Sequence, residues 1–414
     1  MESITRCWAR ERSQHRGGAD RLHYTLIHGI YKHNVLVKRG LRRAVHRARL
    51  PTYWTVIAAQ MRLLPARLRR RLQLDPEADD IVFGQQHLGT RNFFKRLTGE
   101  WHSVPLSAFP HLALLQSPIE DTDEEHLYLQ YLKASWHYVY PKERNTLEAR
   151  MSRVNRFRDQ LERTRRTGDI TEPVLVTPRP DGRWLLVDGN HSASIAKHLG
   201  LSLDALEVHP VRFLTGRSKA PTVFYGSKRF GLPYQSIFQG KREMVIGRRR
   251  DILERLDLLG HDVIDGKRVL ELGVNIGANS FAAAERGAVQ TVGLDLCPQL
   301  VSAAIRLNAY FGLPCEFHVC DLNERGLDFG RFDTVMCFSI TGHLNTISGV
   351  ADVINASKAR HLCFEGHQNT CQEDFAVLFE RLGRRVDVEL VGYTRDGIHS
   401  ASRSRPLFRC EISH

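Results

Sequence analysis

The sequence predicts an α/β protein: a seven-stranded, largely parallel sheet at the carboxyl end, a smaller α+β domain before it, and a basic helical arm at the amino end. Three observations carry this prediction. From Gly266 onward, apolar runs of strand length alternate with helical segments. The first of those runs opens into a loop of small residues, GVNIG, at 273–277. Residues 1–75 hold 17 of the 59 Lys and Arg but only 4 of the 46 Asp and Glu, so the whole net charge of +13 belongs to that arm.

At 414 residues the chain is long enough for two or three domains, and a hydrophobic share of 42% with 25% charged residues is that of a globular protein. The localised basic arm suits an anionic partner, or else a solvated helical face. Of the eight cysteines, at 7, 297, 315, 320, 337, 363, 371 and 410, no two form a CxxC pair, and most sit in apolar runs. Buried reduced thiols of a cytosolic protein explain them better than a zinc site. The opening MESITRCWARERS lacks the apolar core of a secretion signal, and the apolar stretch around 53–61 is too short to span a bilayer. A cytoplasmic location is expected, with contact at the inner face of an anionic membrane if the arm lies on lipid.

Residues 1–100 read as helices with basic faces. Leu26, Ile27, Ile30, Tyr31, Val35 and Leu36 recur at helical spacing, and KRGLRRAVHRARL and LLPARLRRRLQL mix Leu with Arg. Residues 101–215 form the smaller domain: an extended piece, an acidic aromatic helix, and a basic helix at 147–167. A hairpin follows, with strands 174–177 and 184–187 around a Pro-Asp-Gly turn, and then another helix. Residues 216–260 read as a connector rich in Gly and aromatics, ending in the charged helix RRRDILERLDLLG.

Residues 261–414 carry the predicted strands 269–272, 291–295, 315–321, 332–338, 361–366, 386–394 and 406–412. The last two are joined only by a loop and are expected to be antiparallel. In VLELGVNIGANS, Glu271 ends the first strand, and Gly273, Asn275 and Gly277 make a tight turn into a helix, which lets a ligand approach the backbone. VGLDL ends the second strand in Asp295, and FHVCDLNE carries Asp321 after the third. The fourth strand leads through FDTVMCFSITGHL to His343. In this order the motifs resemble the class I methyltransferases that use S-adenosylmethionine (SAM), whose sheet is Rossmann-like. The loop has GxxxG rather than the GxGxxG of nicotinamide-binding domains, and the antiparallel seventh strand fits those poorly. The resemblance implies that Glu271, Gly273, Asn275, Gly277, Asp295 and Asp321 bind the cofactor. The loop holds its methionine end, Asp295 accepts from both ribose hydroxyls, and Asp321 lies on the adenine side.

An acceptor belongs outside the carboxyl ends of the strands. The loop between strands six and seven, TRDGIHSASRSR, brings Arg395, His399, Arg403 and Arg405 there, which points to an anionic acceptor. A hydroxyl acceptor needs a general base, with His343, Glu365 and His367 as candidates; a phosphate oxygen needs none.

The run LLVDGNHSASIAKHLG resembles the nucleotide-binding motif of the ParB/sulfiredoxin-like fold, through Asp188, Gly189, Asn190 and His191 in a strand–turn–helix. Where that family usually has Arg after the His, this sequence has Ser192, which leaves Lys197 or Arg183 as the substitute cation. The resemblance implies ATP or CTP, with Mg, as a second ligand, and a phosphoryl-transfer step in which the acidic stretch 120–125 supplies a base or metal ligand. The leading reading is thus a bifunctional enzyme, similar in logic to the kinase–methyltransferases that cap bacterial surface polysaccharides. It would phosphorylate and methylate a glycan or small-molecule acceptor. The second reading is a nucleic-acid-associated protein whose ParB-like domain and arm bind CTP and DNA. It is disfavoured because no helix-turn-helix follows the motif. Oligomeric state is not legible in the sequence.

Overall fold

The computed structural model describes residues 70–78, 81–84, 87–99, 101–117, 119, 124–137, 145–170, 173–208, 210, 214, 233–245, 247, 249–366, 376–395 and 404–413. The predicted helices of 1–69 lie outside the described residues. Among those described, no helix is long and apolar enough to cross a membrane.

In the first part of the chain, β1 (Arg71–Leu74), β2 (Ile81–Phe83), β3 (Val174–Pro178), β4 (Trp184–Asp188) and β5 (Leu203–Glu207) form a five-stranded mixed sheet in the order β1-β5-β3-β4-β2. Helices α1 (Leu88–Thr98), α2 (Pro110–Gln116), α3 (Leu127–His137), α4 (Leu147–Thr167) and α5 (Asn190–Leu199) accompany it. The expected basic helix and the β3–β4 hairpin are both present. The stretch before residue 100 differs from expectation. Arg71 and Gln73 are exposed while Leu72 and Leu74 are half-buried, a period of two, and β1 pairs antiparallel with β5. A run of alternating Leu and Arg satisfies helix and strand locally. The partner strand, more than a hundred residues later, decides between them, so this sheet begins well before residue 101.

The second sheet joins β8 (Arg268–Leu272), β9 (Gln290–Asp295), β10 (Cys315–Val319), β11 (Thr334–Phe338), β12 (His361–Glu365), β13 (Val386–Arg395) and β14 (Ser404–Ile412) in the order β10-β9-β8-β11-β12-β14-β13. Strands β8 to β12 are parallel to one another, and β14 is antiparallel to both β12 and β13, the latter as the short final connection requires. The chain reverses its order at β8, between β9 and β11, which opens a crevice at the carboxyl ends of those strands. One face packs Leu270, Leu272, Val335, Leu362 and Phe364 against α9 (Ser348–Ser357) and α10 (Ala376–Leu382). The other packs Val269, Met336 and Cys363 against α6 (Ile252–Leu259) and α7 (Ala278–Glu285). Cys315, Cys337, Cys363 and Cys410 are buried free thiols, pushed up to about 12 or beyond by burial.

The two sheets share a core. One apolar cluster runs from Phe83, Phe93 and Phe94 through Tyr310 and Phe311 on α8 (Pro298–Phe311) to Phe317 on β10. Strand β10 is an edge of its sheet, and α1 covers it: Arg91 donates to the carbonyl oxygen of Phe317, and Lys95 pairs with Glu316. Covering removes a free strand edge that would otherwise invite pairing with another chain.

The connector proves to be structured over the described residues 233–245, 247 and 249–251. The hairpin β6 (Ile237–Gln239) and β7 (Arg242–Val245) folds back so that Arg249 N donates to Tyr234 O and Ser236 N to Arg249 O, at 2.7 and 2.8 Å. The predicted charged helix begins at Ile252, and Arg249 precedes it, buried. Gly247 allows the return strand to close, since a Cβ there would lie 2.2 Å from the carbonyl carbon of Gln235. Gly247→Ala is expected to cost about 1–3 kcal/mol through overpacking, read as a lower denaturant midpoint at an unchanged m-value.

Candidate functional site

The loop after β8 is pinned from behind. The amides of Gly273 and Val274 both donate to Leu294 O, at 2.8 and 2.9 Å, and Gly277 N closes the turn on Val274 O at 3.0 Å. Gly273, Asn275 and Gly277 all have positive φ, of 73°, 56° and 89°. Asparagine tolerates this left-handed conformation better than other residues with a Cβ, which explains how Asn275 stands between the two glycines. A Cβ on Gly273 would lie 2.1 Å from Ile340 Cγ2, and one on Gly277 would lie 3.0 Å from both Phe281 and Phe317. The loop is thus a cradle with no spare volume on its protein side. Gln235, 4% exposed, meets the start of the following helix, with its Oε1 3.4 Å from Ala278 N.

Asp295 ends β9 beside this cradle. Its Oδ2 accepts from Asn275 N at 2.8 Å and its Oδ1 from Cys297 N at 2.9 Å. A carboxylate has about four lone-pair sites, so each oxygen keeps one for an incoming hydroxyl. Burial raises the pKa of this carboxyl, opposed by the two amides. Next to it Leu296 is 61% exposed and Val319, at the end of β10, is 40% exposed. Such aliphatic surface beside a carboxylate with lone pairs to spare has the shape and chemistry to take a planar base. Asp321, half-buried after β10, accepts through Oδ1 from Asn323 N and Nδ2, and Asn323 Oδ1 accepts from Asn345 N at 2.7 Å. These bonds tie the loops after β10 and β11 together.

Glu365 does not serve as the general base expected of it. Its residue is wholly buried at the end of β12. Arg249 Nη2 and Arg255 Nη2 lie 2.8 and 3.1 Å from its Oε1, and the hydroxyls of Ser339 and Thr394 also donate to it. Burial alone would raise this carboxyl; the charges of Arg255 and Arg249 with the bonds from Arg249 and Ser339 outweigh it and hold the group below the usual carboxylate range. Without solvent access or a spare lone pair, Glu365 cannot take a proton from an acceptor.

Glu271 also sits under the loop rather than at its mouth. It is 1% exposed and accepts from Asn279 Nδ2 at 2.7 Å and Ser280 Oγ at 2.6 Å. Asn279 in turn accepts from Arg255 Nη1 at 3.0 Å, so Glu271 and Glu365 belong to one buried polar network. It holds the first turn of α7.

Of the other base candidates, His343 lies exposed in a short 3-10 turn after β11, at the carboxyl edge of the sheet, and His367 falls outside the described residues. Arg405 is half-buried on β14 opposite Thr394, and Arg395 is opposite Ser404. Because β13 runs parallel to β12, this hairpin end shares the carboxyl edge with the cradle, as expected. His399 and Arg403 lie outside the described residues, as does the side chain of Arg395.

In the smaller domain the strand–turn–helix of the second motif is formed. Gly189, at φ 101°, bends β4 into α5, and a Cβ there would lie 2.6 Å from Val174 Cγ1. Asp188 Oδ1 accepts from Gly189 N, Asn190 is buried in the first turn, and Ser192 Oγ accepts from Gln160 Nε2 at 3.0 Å. His191 is packed against Phe157 and His111, with Nε2 2.8 Å from Tyr128 Oη and Nδ1 3.3 Å from Arg153 Nη2. Burial, then His111 and the nearby arginines, hold it well below the usual histidine range, so its ring is neutral. Neither expected substitute cation is beside it: Lys197 pairs with Glu77 at 3.0 Å and Arg183 with Asp181 at 2.9 Å. Arg153 of α4 is the cation that reaches His191. In the acidic stretch 120–125, Glu124 lies within 4 Å of Lys133 and Arg150, and residues 120–123 are outside the described residues. Among the described residues no group of three or more His, Cys, Asp or Glu could hold a metal ion.

Residues 269–357, from the first strand of the second sheet to α9, match the family described as a methyltransferase domain. This part of the chain is similar to methyltransferase domains. Phosphoethanolamine N-methyltransferase 3 of Arabidopsis thaliana is 33% identical over 106 residues, 25% of this chain and 21% of that protein. The chain therefore spans about a fifth of the curated relative it matches. Among solved structures, magnesium protoporphyrin IX methyltransferase from Synechocystis with bound SAM is 20% identical, with 39% of this chain and 76% of that chain covered and a TM-score of 0.32. A SAM-dependent methyltransferase from Mesorhizobium loti is 13% identical, with 38% and 95% covered and a TM-score of 0.32.

Leu296, Ile340, Gln235 and the Arg249–Arg255 pair were not singled out from the sequence. Only Leu296 had a signal there, an apolar residue directly after the strand-end Asp295.

Burial pushes the Glu271 carboxyl up to about 7, against the opposing bonds from Ser280 and Asn279 and the charge of Arg255. Its folded pKa lies above the unfolded value near 4.5. Between these two pH values the unfolded chain ionises while the folded one stays protonated, and stability falls as pH rises. Above the folded value the cost levels at roughly 3 kcal/mol. Glu271→Gln removes this term. Denaturation midpoints from pH 4.5 to 8 are expected to show the variant gaining on the wild type as pH increases.

Proposed function

We propose that the chain transfers a methyl group from SAM to an acceptor that carries phosphate or another anionic group. The observation that carries this reading is the pairing of a left-handed cradle, without room for a Cβ at Gly273, with an Asp295 carboxylate that keeps free lone pairs. Bound there, SAM supplies a sulfonium methyl for in-line displacement. The chain's own work is alignment and exclusion of water. The backbone of 273–277 holds the amino-acid end, Asp295 takes the ribose hydroxyls, and Leu296 and Val319 cover the base. Arg405, with Arg395, His399 and Arg403, meets the anionic part of the acceptor, and a hydroxyl acceptor would give its proton to His343 or His367. The similarity to a protein named for phosphoethanolamine supports an acceptor bearing phosphate.

In the smaller domain, the Asp188–Ser192 turn is read as a nucleotide site for ATP or CTP with Mg. There the amides at the start of α5 and the guanidinium of Arg153 meet phosphate, while neutral His191, bonded to Tyr128 and Arg153, holds that guanidinium in place. A phosphorylated glycan or small molecule remains the substrate class that unites the two sites.

Calorimetric titration of the full-length protein with SAM tests the first reading, and separate titrations with ATP and CTP test the second. Asp295→Ala is expected to weaken SAM binding on the order of 100-fold or more, since two hydrogen bonds to a charged acceptor, about 1.5–3 kcal/mol each, are lost. Undiminished binding would refute the assignment of Asp295.

A further inference from the structure

We propose that the Arg249–Arg255–Glu365 cluster is a positioning device for the methionine end of the cofactor, acting through the turn at Ser339 and the side chain of Ile340. The inference rests on the SAM reading above and assigns a role to residues that reading does not use.

The chain of contacts is short. Glu365 holds Ser339 twice: Ser339 N donates to the Glu365 carbonyl at 2.9 Å, and Ser339 Oγ donates to its carboxylate. Ser339 has φ 57°, a left-handed conformation that serine adopts only when its surroundings hold it. This turn sends the next residue, Ile340, across the cofactor loop, where its Cγ2 fills the position a Gly273 Cβ would take. Glu365 is in turn held by residues of the connector. Arg249 bridges it to Asp251, with Nη2–Oδ2 of 2.6 Å and Nε–Oδ1 of 3.0 Å, and Arg255 bridges it to Asn279 on α7. The carboxylate therefore fixes both sides of the cradle, the turn above Gly273 and the helix below it. Two cations and two anions meet here with side chains no more than 3% exposed. An ion cluster so dry is costly to assemble and costly to break. That makes it stiff, and a stiff support is what a loop needs if it is to hold a ligand in one geometry.

The adenosine end depends on Asp295 and Leu296, which the cluster does not touch, so the two ends should respond differently. The experiment measures affinities of the full-length protein for S-adenosylhomocysteine, which has the amino-acid end, and for 5′-methylthioadenosine, which lacks it. Ser339→Ala cuts the side-chain tie alone. It is expected to weaken S-adenosylhomocysteine about tenfold, equivalent to one lost hydrogen bond to a charged group, and to leave methylthioadenosine unchanged. Ser339→Gly takes up positive φ freely but also lacks the tie. It is expected to weaken S-adenosylhomocysteine as the Ala variant does. Gly binding like the wild type would mean that only backbone strain matters and would overturn the proposal. So would parallel weakening of both probes, the mark of general destabilisation, or no weakening of either. Wild-type protein that binds neither probe would refute the SAM reading itself, and this inference with it.

Discussion

The proposed site is built on a junction held by one buried carboxylate, Glu365, and the two guanidinium groups that neutralise it. Around it converge the ends of β11, β12 and β13, the start of α7 through Asn279, and the connector through Arg249 and Asp251. The energetics explain why such a cluster specifies an arrangement rather than adding stability. Desolvating the charges offsets most of their attraction, so a well-packed apolar replacement would serve stability as well. Removing one partner alone strands a charge at a cost of about 3–5 kcal/mol. The cluster thus tolerates its own geometry and few others. It converts an otherwise loose junction of five segments into one with a single low-energy arrangement.

The cradle for a ligand follows from that junction. Strand β8 ends in a turn whose amides are spent on Leu294, and whose positive-φ positions are Gly273, Asn275 and Gly277. Ile340 and the aromatic rings of Phe281 and Phe317 fill the space where side chains would otherwise be. Phe317 belongs to the core shared with the smaller domain, and α1 of that domain covers β10 through Arg91 and Lys95. The 273–277 loop, sheet edge and smaller domain are therefore parts of one packed body, and a change at the β10 edge bears on Phe317 beneath Gly277.

The smaller domain has a different balance. Its motif turn has the expected backbone, but the ring of His191 is held neutral between Tyr128, His111 and Phe157. Positive charge near it comes from Arg153 on a separate helix, not from the position after the histidine. A phosphate there would meet amides and a guanidinium rather than an imidazolium.

Much of this was legible in the sequence. Strict alternation of apolar runs and helical segments determined the parallel sheet and its antiparallel last strand. The spacing of Gly273, Gly277 and Asp295 determined the cradle, because backbone conformation and strand ends are local properties. The β3–β4 hairpin and α4 were local in the same sense. Long-range contacts decided the rest. Arg71–Leu74 became a strand because β5 needed a partner, and the connector packed against the start of α7 because Gly247 let it close on Gln235. Glu365 looked like a base by its position at a strand end, but Arg249 and Arg255 made it a buried counter-ion. The same side chain serves as base or as anchor according to which charges surround it, and only the packed tertiary structure brings those charges together.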